Sequence, residues 1–273
     1  MQINGYLYDT HVHTSEGSAC GQNTGAEMAR AYQKAGYAGI VVTDHFFYGN
    51  TAADRSLPWK DWVEQFCKGY EHAKEEGDKI GLQVFFGWES GYHGTEFLIY
   101  GLNKEWLFEH PEIKDADVKE QYELVHAGGG IVSHAHPFRE EDYIPEIRLF
   151  PDCVDAVEGI NATHESPASM SHKNILYNEK AIAYAKEHGL PITAGSDQHT
   201  TRMIGGGMLF DRKLSDEKDF CRAVLAGASP SPAKDCGCAL CPAASALHPY
   251  LLPGRCRWVQ RSFCRRSPCL PGT

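Results

Sequence analysis

The chain reads as an α/β protein whose parallel strands close into a barrel, with a metal site at their C-terminal ends. Three observations predict this. Short apolar runs alternate with stretches of helical periodicity at least six times, the pattern of a parallel sheet covered by helices. The runs end repeatedly in histidine or carboxylate: His11 and His13, Asp44-His45, Glu89, His134 and His136, then Asp197 and His199. The C-terminal ends of the strands are also the face on which (β/α) barrels gather their functional side chains. Six alternations favour a barrel over an open doubly wound sheet.

Taken in order, Gly5 to Asp9 leads into the first strand, which carries His11-Val12-His13. Residues two apart on a strand share a face, so the two imidazoles project together, as one metal ion requires. Gly17 to Gly25 is a loop rich in Gly and Ser, and Ala26 to Ala35 is a helix ended by Gly36. Tyr37 to Thr43 is a buried-strand run delivering Asp44-His45. A loop over Phe46 to Pro58 precedes a helical pattern from Trp59 to Glu76, which Gly77 is expected to break. Ile80 to Phe86 is a strand ending at Gly87-Trp88-Glu89, and Thr95 to Tyr100 is another after the turn at Gly91 to Gly94. Asp115 to Ala127 reads as a helix, and Ile131-Val132-Ser133 opens the strand bearing His134 and His136. Val154 to Ile160 is the next strand, Asn178 to His188 a helix, and Pro191 to Gly195 the strand before Ser196-Asp197-Gln198-His199. A last helix over Asp216 to Leu225 has Ser215 as its expected N-cap.

Composition narrows the function. The net charge of −10 argues against broad binding of long nucleic acid, though bound cations can invert the sign locally. No basic and apolar leader opens the sequence, and no run of about 18 apolar residues would span a membrane, so a cytoplasmic, membrane-free protein is expected. Residues 1–228 carry 20 basic and 35 acidic residues, a net −15. Residues 229–273 carry six and one, a net +5, with seven of the 14 prolines and six of the ten cysteines. That shift marks a domain boundary. Cys236, Cys238, Cys241, Cys256, Cys264 and Cys269 do not form two Cys-x-x-Cys halves, and the body's pattern stops in mid-course. The tail therefore reads as frame-shifted, non-native or disordered rather than as a zinc appendage. No cysteine lies among the strand-end clusters, so the expected donors are nitrogen and oxygen, which suit Zn²⁺, Mn²⁺ or Fe. A carboxylate such as Glu89 or Asp197 can bridge ions, which points to two or three of them.

His-x-His after the first strand, Thr43-Asp44-His45 after the second, Glu89, the histidine of Ala135-His136-Pro137 and Gly195-Ser196-Asp197-Gln198-His199 together resemble the PHP (polymerase and histidinol phosphatase) family. The matching segments run from Tyr8 to about Gly207. The resemblance implies a distorted (β/α)7 TIM-like barrel, a multinuclear metal site and phosphoester hydrolysis. It implies His11, His13, Glu89 and Asp197 as ligands on one side, Glu89 bridging to an ion on His136, and His45 and His199 sharing a third. Family members often carry Asp or His where Ser18 and Ala19 stand here, leaving Glu16 as the nearest acidic substitute. Glu96 stands where many have histidine. His134 is a further candidate, as ligand or as support, and Asp44 is expected to orient an imidazole.

Arg139 follows His136-Pro137-Phe138 and resembles the His-Pro-x-Arg of phosphatase members. Its guanidinium suits phosphate oxygens, and with Asp197 and His136 it is expected to act in catalysis. Arg202 and His164 are further candidates for substrate contact. His72, His93, His110, His126, His172 and His188 read as surface residues. The expected substrate is a small phosphate monoester, histidinol phosphate being one possibility. A nuclease or nucleotide phosphodiesterase acting on short oligonucleotides, a non-catalytic metal-binding module and an amidohydrolase-like barrel are the other readings. No Gly-rich phosphate loop with a lysine is present.

Overall fold

A computed structural model describes residues 5–166, 172, 174–202 and 204–227. Eight strands form one sheet in the order β7-β6-β5-β4-β3-β2-β1-β8. The strands are β1 (Tyr6–Val12), β2 (Gly39–Val42), β3 (Gln83–Tyr92), β4 (Thr95–Tyr100), β5 (Ile131–Ala135), β6 (Ala156–Asn161), β7 (Ile192–Gly195) and β8 (Met208–Phe210). The ends of the sheet meet. Val12 bridges to Gln198 just beyond β7, and the His13 amide donates to the Gln198 carbonyl at 2.8 Å. The result is a nearly closed α/β barrel, with the expected strand-helix alternation along most of the chain.

One region departs from the all-parallel expectation. β3 runs on past Glu89 and folds back through His93 and Gly94, both at positive φ, with Tyr92 opposite Thr95. Two such residues make the tight turn whose twist matches a hairpin. β4 is therefore antiparallel to both β3 and β5. β8 is antiparallel to the first half of β1.

The helices are α1 (Gly25–Lys34), α2 (Trp59–Phe66), α3 (Lys68–Ile80), α4 (Lys104–Glu109), α5 (Val118–Ala127), α6 (Ile175–Glu187) and α7 (Glu217–Leu225). Thr24 with Glu27, and Asp117 with Glu120, form capping boxes that fix the starts of α1 and α5. The single helix expected from Trp59 is two, broken at Cys67. Gly77 does not end α3 but lies buried within it, where a Cβ would come 2.7 Å from the Leu82 carbonyl oxygen. Asp216, not Ser215, caps α7, its side chain accepting from the Asp219 amide.

Inside the barrel, Tyr8, Val41, Phe85, Leu98, Tyr100, Met208 and Phe210 pack with Phe220 and Val224 of α7, which closes the base. Tyr100 and Phe220 meet edge to face at 5.1 Å. Outer layers join the strands to the helices around Trp62, Phe66 and Trp88 on one side and Met28, Tyr32 and Ile40 on another. No helix among the described residues is long and apolar enough to cross a membrane. The division at residue 228 and the tail's cysteines fall outside the described residues.

Candidate metal centre

Eight donors converge at the barrel's upper end: His11, His13, His45, Glu89, Glu96, His136, Asp197 and His199. Along β1, Tyr8 lies in the inner core but Val12, at its end, lies in an outer layer. The pairing of β1 with β2 slips between Asp9 and Val12. Such an irregularity shifts the alternation of faces, and His11 and His13 both point into the site, Nε2 to Nε2 at 3.0 Å. β7 approaches so closely that a Cβ on Gly195 would lie 2.3 Å from that of His11.

Glu89 is the hub. Its carboxylate lies 3.4 Å from His11, 3.5 Å from His13, 2.8 Å from His45 and 3.0 Å from His136. Asp197 lies 3.5 Å from His11, 3.3 Å from His13 and 3.7 Å from His199. Four groups of three donors each have all their ligand atoms within 4.8 Å: His13-His45-His199, His11-His13-Glu89, His11-His136-Asp197 and His45-Glu89-Glu96. His136 and Asp197 hold positive φ, at 25° and 54°. Strained backbone of this kind gathers at functional sites, where surrounding contacts maintain it.

The lone pairs show what the site accepts. His11 Nδ1 faces the Glu158 carboxylate at 2.8 Å, so it carries a proton there, and in the neutral ring Nε2 keeps the lone pair. Ser18 Oγ donates to Asp44, which places the His13 proton on Nδ1, 3.0 Å from that hydroxyl, and leaves its Nε2 bare too. The two Nε2 atoms at 3.0 Å either share a proton, His11 donating to His13, or turn their lone pairs to a cation. Glu89 Oε2 and His45 Nδ1 are buried and, at 2.8 Å, lack hydrogen-bond geometry. Donor chemistry and orphaned atoms both fit divalent cations.

Burial opposes charge throughout, and the outcome follows each group's neighbours. For His11, the carboxylates of Glu158, Asp197 and Glu89 outweigh burial and raise the pKa well above its ordinary value. For His13, burial and then His199 and His45 lower it. Asp197 is held well below the carboxylate range because Arg139 and His11 overcome burial. Glu96 is raised by burial and by Glu89.

On the substrate side, the buried Arg139 guanidinium bonds Asp197 and lies 3.4 Å from His164 Nε2. His164 is kept neutral by burial and by Arg139, with Nδ1 against Asn178 at 2.9 Å. Three other candidates lie apart. Glu16 pairs with His72 at 2.6 Å and accepts from the first amide of α1, so the loop turns it outward. His134 alternates to the outer face of β5, stacked on Phe97 at 4.9 Å, with neither ring nitrogen bonded. Arg202 is exposed and makes no ion pair among the described residues. Asp44 supports His13 through Ser18 rather than by touching a ring.

Sequence reasoning passed over Glu158, Asp9 and Cys20. Glu158 was legible as a carboxylate inside a buried apolar run. Asp9 accepts from the amides of His11 and Ser196, pinning β1 to the β7 loop, and burial pushes its pKa up to about 6. Cys20 lies half-buried in the 17–25 loop, and no donor group among the described residues includes it. Burial raises its thiol, and the neighbouring His199 and His45 bring it down to about 6.

Residues 176–229 match a family model described as PHP-associated. The fold is similar to that of a two-domain protein containing predicted PHP-like metal-dependent phosphoesterase from Bacteroides vulgatus ATCC 8482. The TM-score is 0.58 and the identity 14%, over 81% of this chain and 62% of that one. The chain thus spans less than two thirds of that protein's length. It is also similar to PsfC from Pseudomonas syringae PB-5123, with TM-score 0.54 and identity 17%, over 80% of this chain and 88% of that one. No curated protein matches the sequence. The comparisons thus show a fold similar to those of these two proteins and a PHP-associated match over residues 176–229.

Proposed function

We propose that this PHP-type protein hydrolyses phosphoesters with two or three divalent ions, Zn²⁺, Mn²⁺ or Fe, and that its substrate is a small phosphate monoester. The observation that carries this reading is the buried Arg139 guanidinium fixed on Asp197, itself within 3.5 Å of His11 and 3.3 Å of His13. A permanent cation beside a cluster built for cations suits an anion with several oxygens. Ions held by His11, His13, His45, Glu89, Glu96, His136, Asp197 and His199 would neutralise phosphoryl oxygens and acidify water.

The chain's own groups supply the rest. Arg139 binds and orients a phosphoryl group by hydrogen bonds, as a planar donor fork does. His164, neutral and bonded to Asn178, keeps that guanidinium in place without adding charge. Glu158 holds a proton on His11 Nδ1, and Ser18 with Asp44 holds one on His13. The acidic body repels long polyanions, which favours a small substrate over extended nucleic acid. Four free cysteines among the described residues suit a reducing compartment, which supports a cytoplasmic location.

The test is phosphate release from a panel of monoesters, with bis-ester and short-oligonucleotide substrates beside them, after chelation and metal restoration. Hydrolysis of monoesters over diesters supports the reading. Faster cleavage of short oligonucleotides would move it to a phosphodiesterase.

A further inference from the structure

Beside the donor cluster, Asp197, Arg139, His164, Asn178 and Asn161 close a circuit of hydrogen bonds, and all five are buried. Arg139 Nη2 donates to Asp197 Oδ2, and Arg139 Nε donates to His164 Nε2 at 3.4 Å. His164 Nδ1 lies 2.9 Å from Asn178 Oδ1, which also accepts from the Asn161 amide at 3.1 Å. Asn161 Nδ2 then returns to Asp197 Oδ2 at 3.0 Å.

The direction of these bonds is set from α6, which brings in Asn178 near its start. Asn178 Nδ2 donates to the Asn161 carbonyl at 3.1 Å and to Glu165 Oε1 at 2.9 Å. Turning that amide over would set its N–H groups against the Asn161 amide and its oxygen against the Asn161 carbonyl, so Oδ1 is fixed as the acceptor. His164 must then carry its proton on Nδ1, which leaves on Nε2 the lone pair that Arg139 Nε requires. The opposite tautomer would aim one N–H at another. Asp197 is divided by the same circuit. Oδ2 takes Arg139 and Asn161, whereas Oδ1 is the oxygen 3.5 Å from His11, 3.3 Å from His13 and 3.7 Å from His199.

We propose that Asn178 is a positioning residue for phosphoryl binding: through the tautomer of His164 it sets the tilt of the Arg139 guanidinium. The proposal rests on the phosphoester reading above. A bond at Nη2 alone would let the guanidinium swing about that atom. A second bond at Nε fixes the plane, and the planar fork then meets phosphoryl oxygens in one orientation. Asn161 completes the arrangement by holding Asp197 Oδ2 on the arginine side, which leaves Oδ1 to the histidines.

The test uses the full chain loaded with Zn²⁺, inorganic phosphate as the probe, and nitrogen NMR of the histidine rings, with a His164→Gln variant to assign the His164 signals. The parent should show His164 protonated on Nδ1 with Nε2 bare. Asn178→Leu should lose that tautomer and bind phosphate about tenfold more weakly, the scale of one hydrogen bond to a charged group. Asn178→Asp keeps an acceptor for Nδ1 and should retain the tautomer and most of the affinity. In an Arg139→Ala background, Asn178→Leu should cost nothing further, because the two changes act through one group. An unchanged tautomer or unchanged affinity in folded Asn178→Leu would overturn the proposal and leave the phosphoester reading standing. So would a loss that persists in full without Arg139, which would make the role of Asn178 structural. If the leucine variant does not fold, the parent decides: a His164 ring protonated on Nε2 overturns the proposal, and one protonated on Nδ1 supports it. A parent that binds no phosphate would overturn both.

Discussion

His11 Nδ1 and Glu158 Oε1 are 2.8 Å apart, and neither side chain is exposed. Glu158 Oε2 accepts from the His136 amide at 3.0 Å and from Asn161 Nδ2 at 3.2 Å. One carboxylate thus fixes the tautomer of His11, the backbone of His136 and a side chain bonded to Asp197. Replacing Glu158 by Gln puts a donor where these bonds need an acceptor. Metal affinity should fall about 10–100-fold, as when such supporting groups are removed elsewhere. Competition against a chromophoric chelator measures it, and unchanged affinity in a folded variant would contradict the role.

Glu89 reaches His11, His13, His45 and His136. Glu89→Gln keeps the volume and removes the charge. It should lower the number of ions bound per chain, read by elemental analysis after dialysis, and abolish metal-restored hydrolysis. Full ion content in the variant would show that Glu89 is not shared between ions.

Arg139 pairs with Asp197 and, in the proposed reaction, binds the phosphoryl group without holding metal. Arg139→Ala should cut kcat/KM about 10²–10³-fold, the scale of losing a charged group from an anion-stabilising site. Ion content should stay as in the parent. Arg139→Lys should recover part of the loss, because a lysine keeps the charge but not the planar fork.

Stability at acid pH has a separate origin. Asp219, under the barrel on α7, accepts from Arg212 Nη2 at 2.7 Å and from the Ser215 amide at 2.9 Å. Arg212, then that amide, hold its carboxyl below the usual carboxylate range. A depressed carboxylate contributes stability that is present above its unfolded pKa of about 4 and is lost as pH falls through the folded value. The Tm difference between parent and Asp219→Asn should be constant above about pH 5, begin to narrow below about pH 4 and close as pH falls through the depressed folded value. A difference that persists in acid would assign the effect to packing.

The site was legible where side-chain alternation and chain order suffice. His13, His45, His136, Asp197 and His199 follow strands, His11 lies one residue before the end of β1, and Glu89 lies within β3 where that strand passes the site; the structure brings them together. Glu96 also joins, because the β4 hairpin returns it beside Glu89. What failed was inference from local spacing. His134 and His136 are two apart, but the strand stops at Ala135 and His136 turns to positive φ, so a shared face no longer follows. Glu16 is near the His-x-His motif in sequence, yet the loop turns it toward His72. The reversal of β4 was hidden for a similar reason, since a Gly-rich turn marks a change of direction without specifying the hydrogen-bonding partner.

The most direct test is phosphate release from a monoester as metal is returned stepwise to the chelated protein, with Asp197→Asn run beside it. Release should be absent without metal, rise with added Mn²⁺ or Zn²⁺, and be lost in the variant. Folded parent protein that binds the ions and releases no phosphate from any ester would contradict the central claim and leave a metal-binding barrel without turnover.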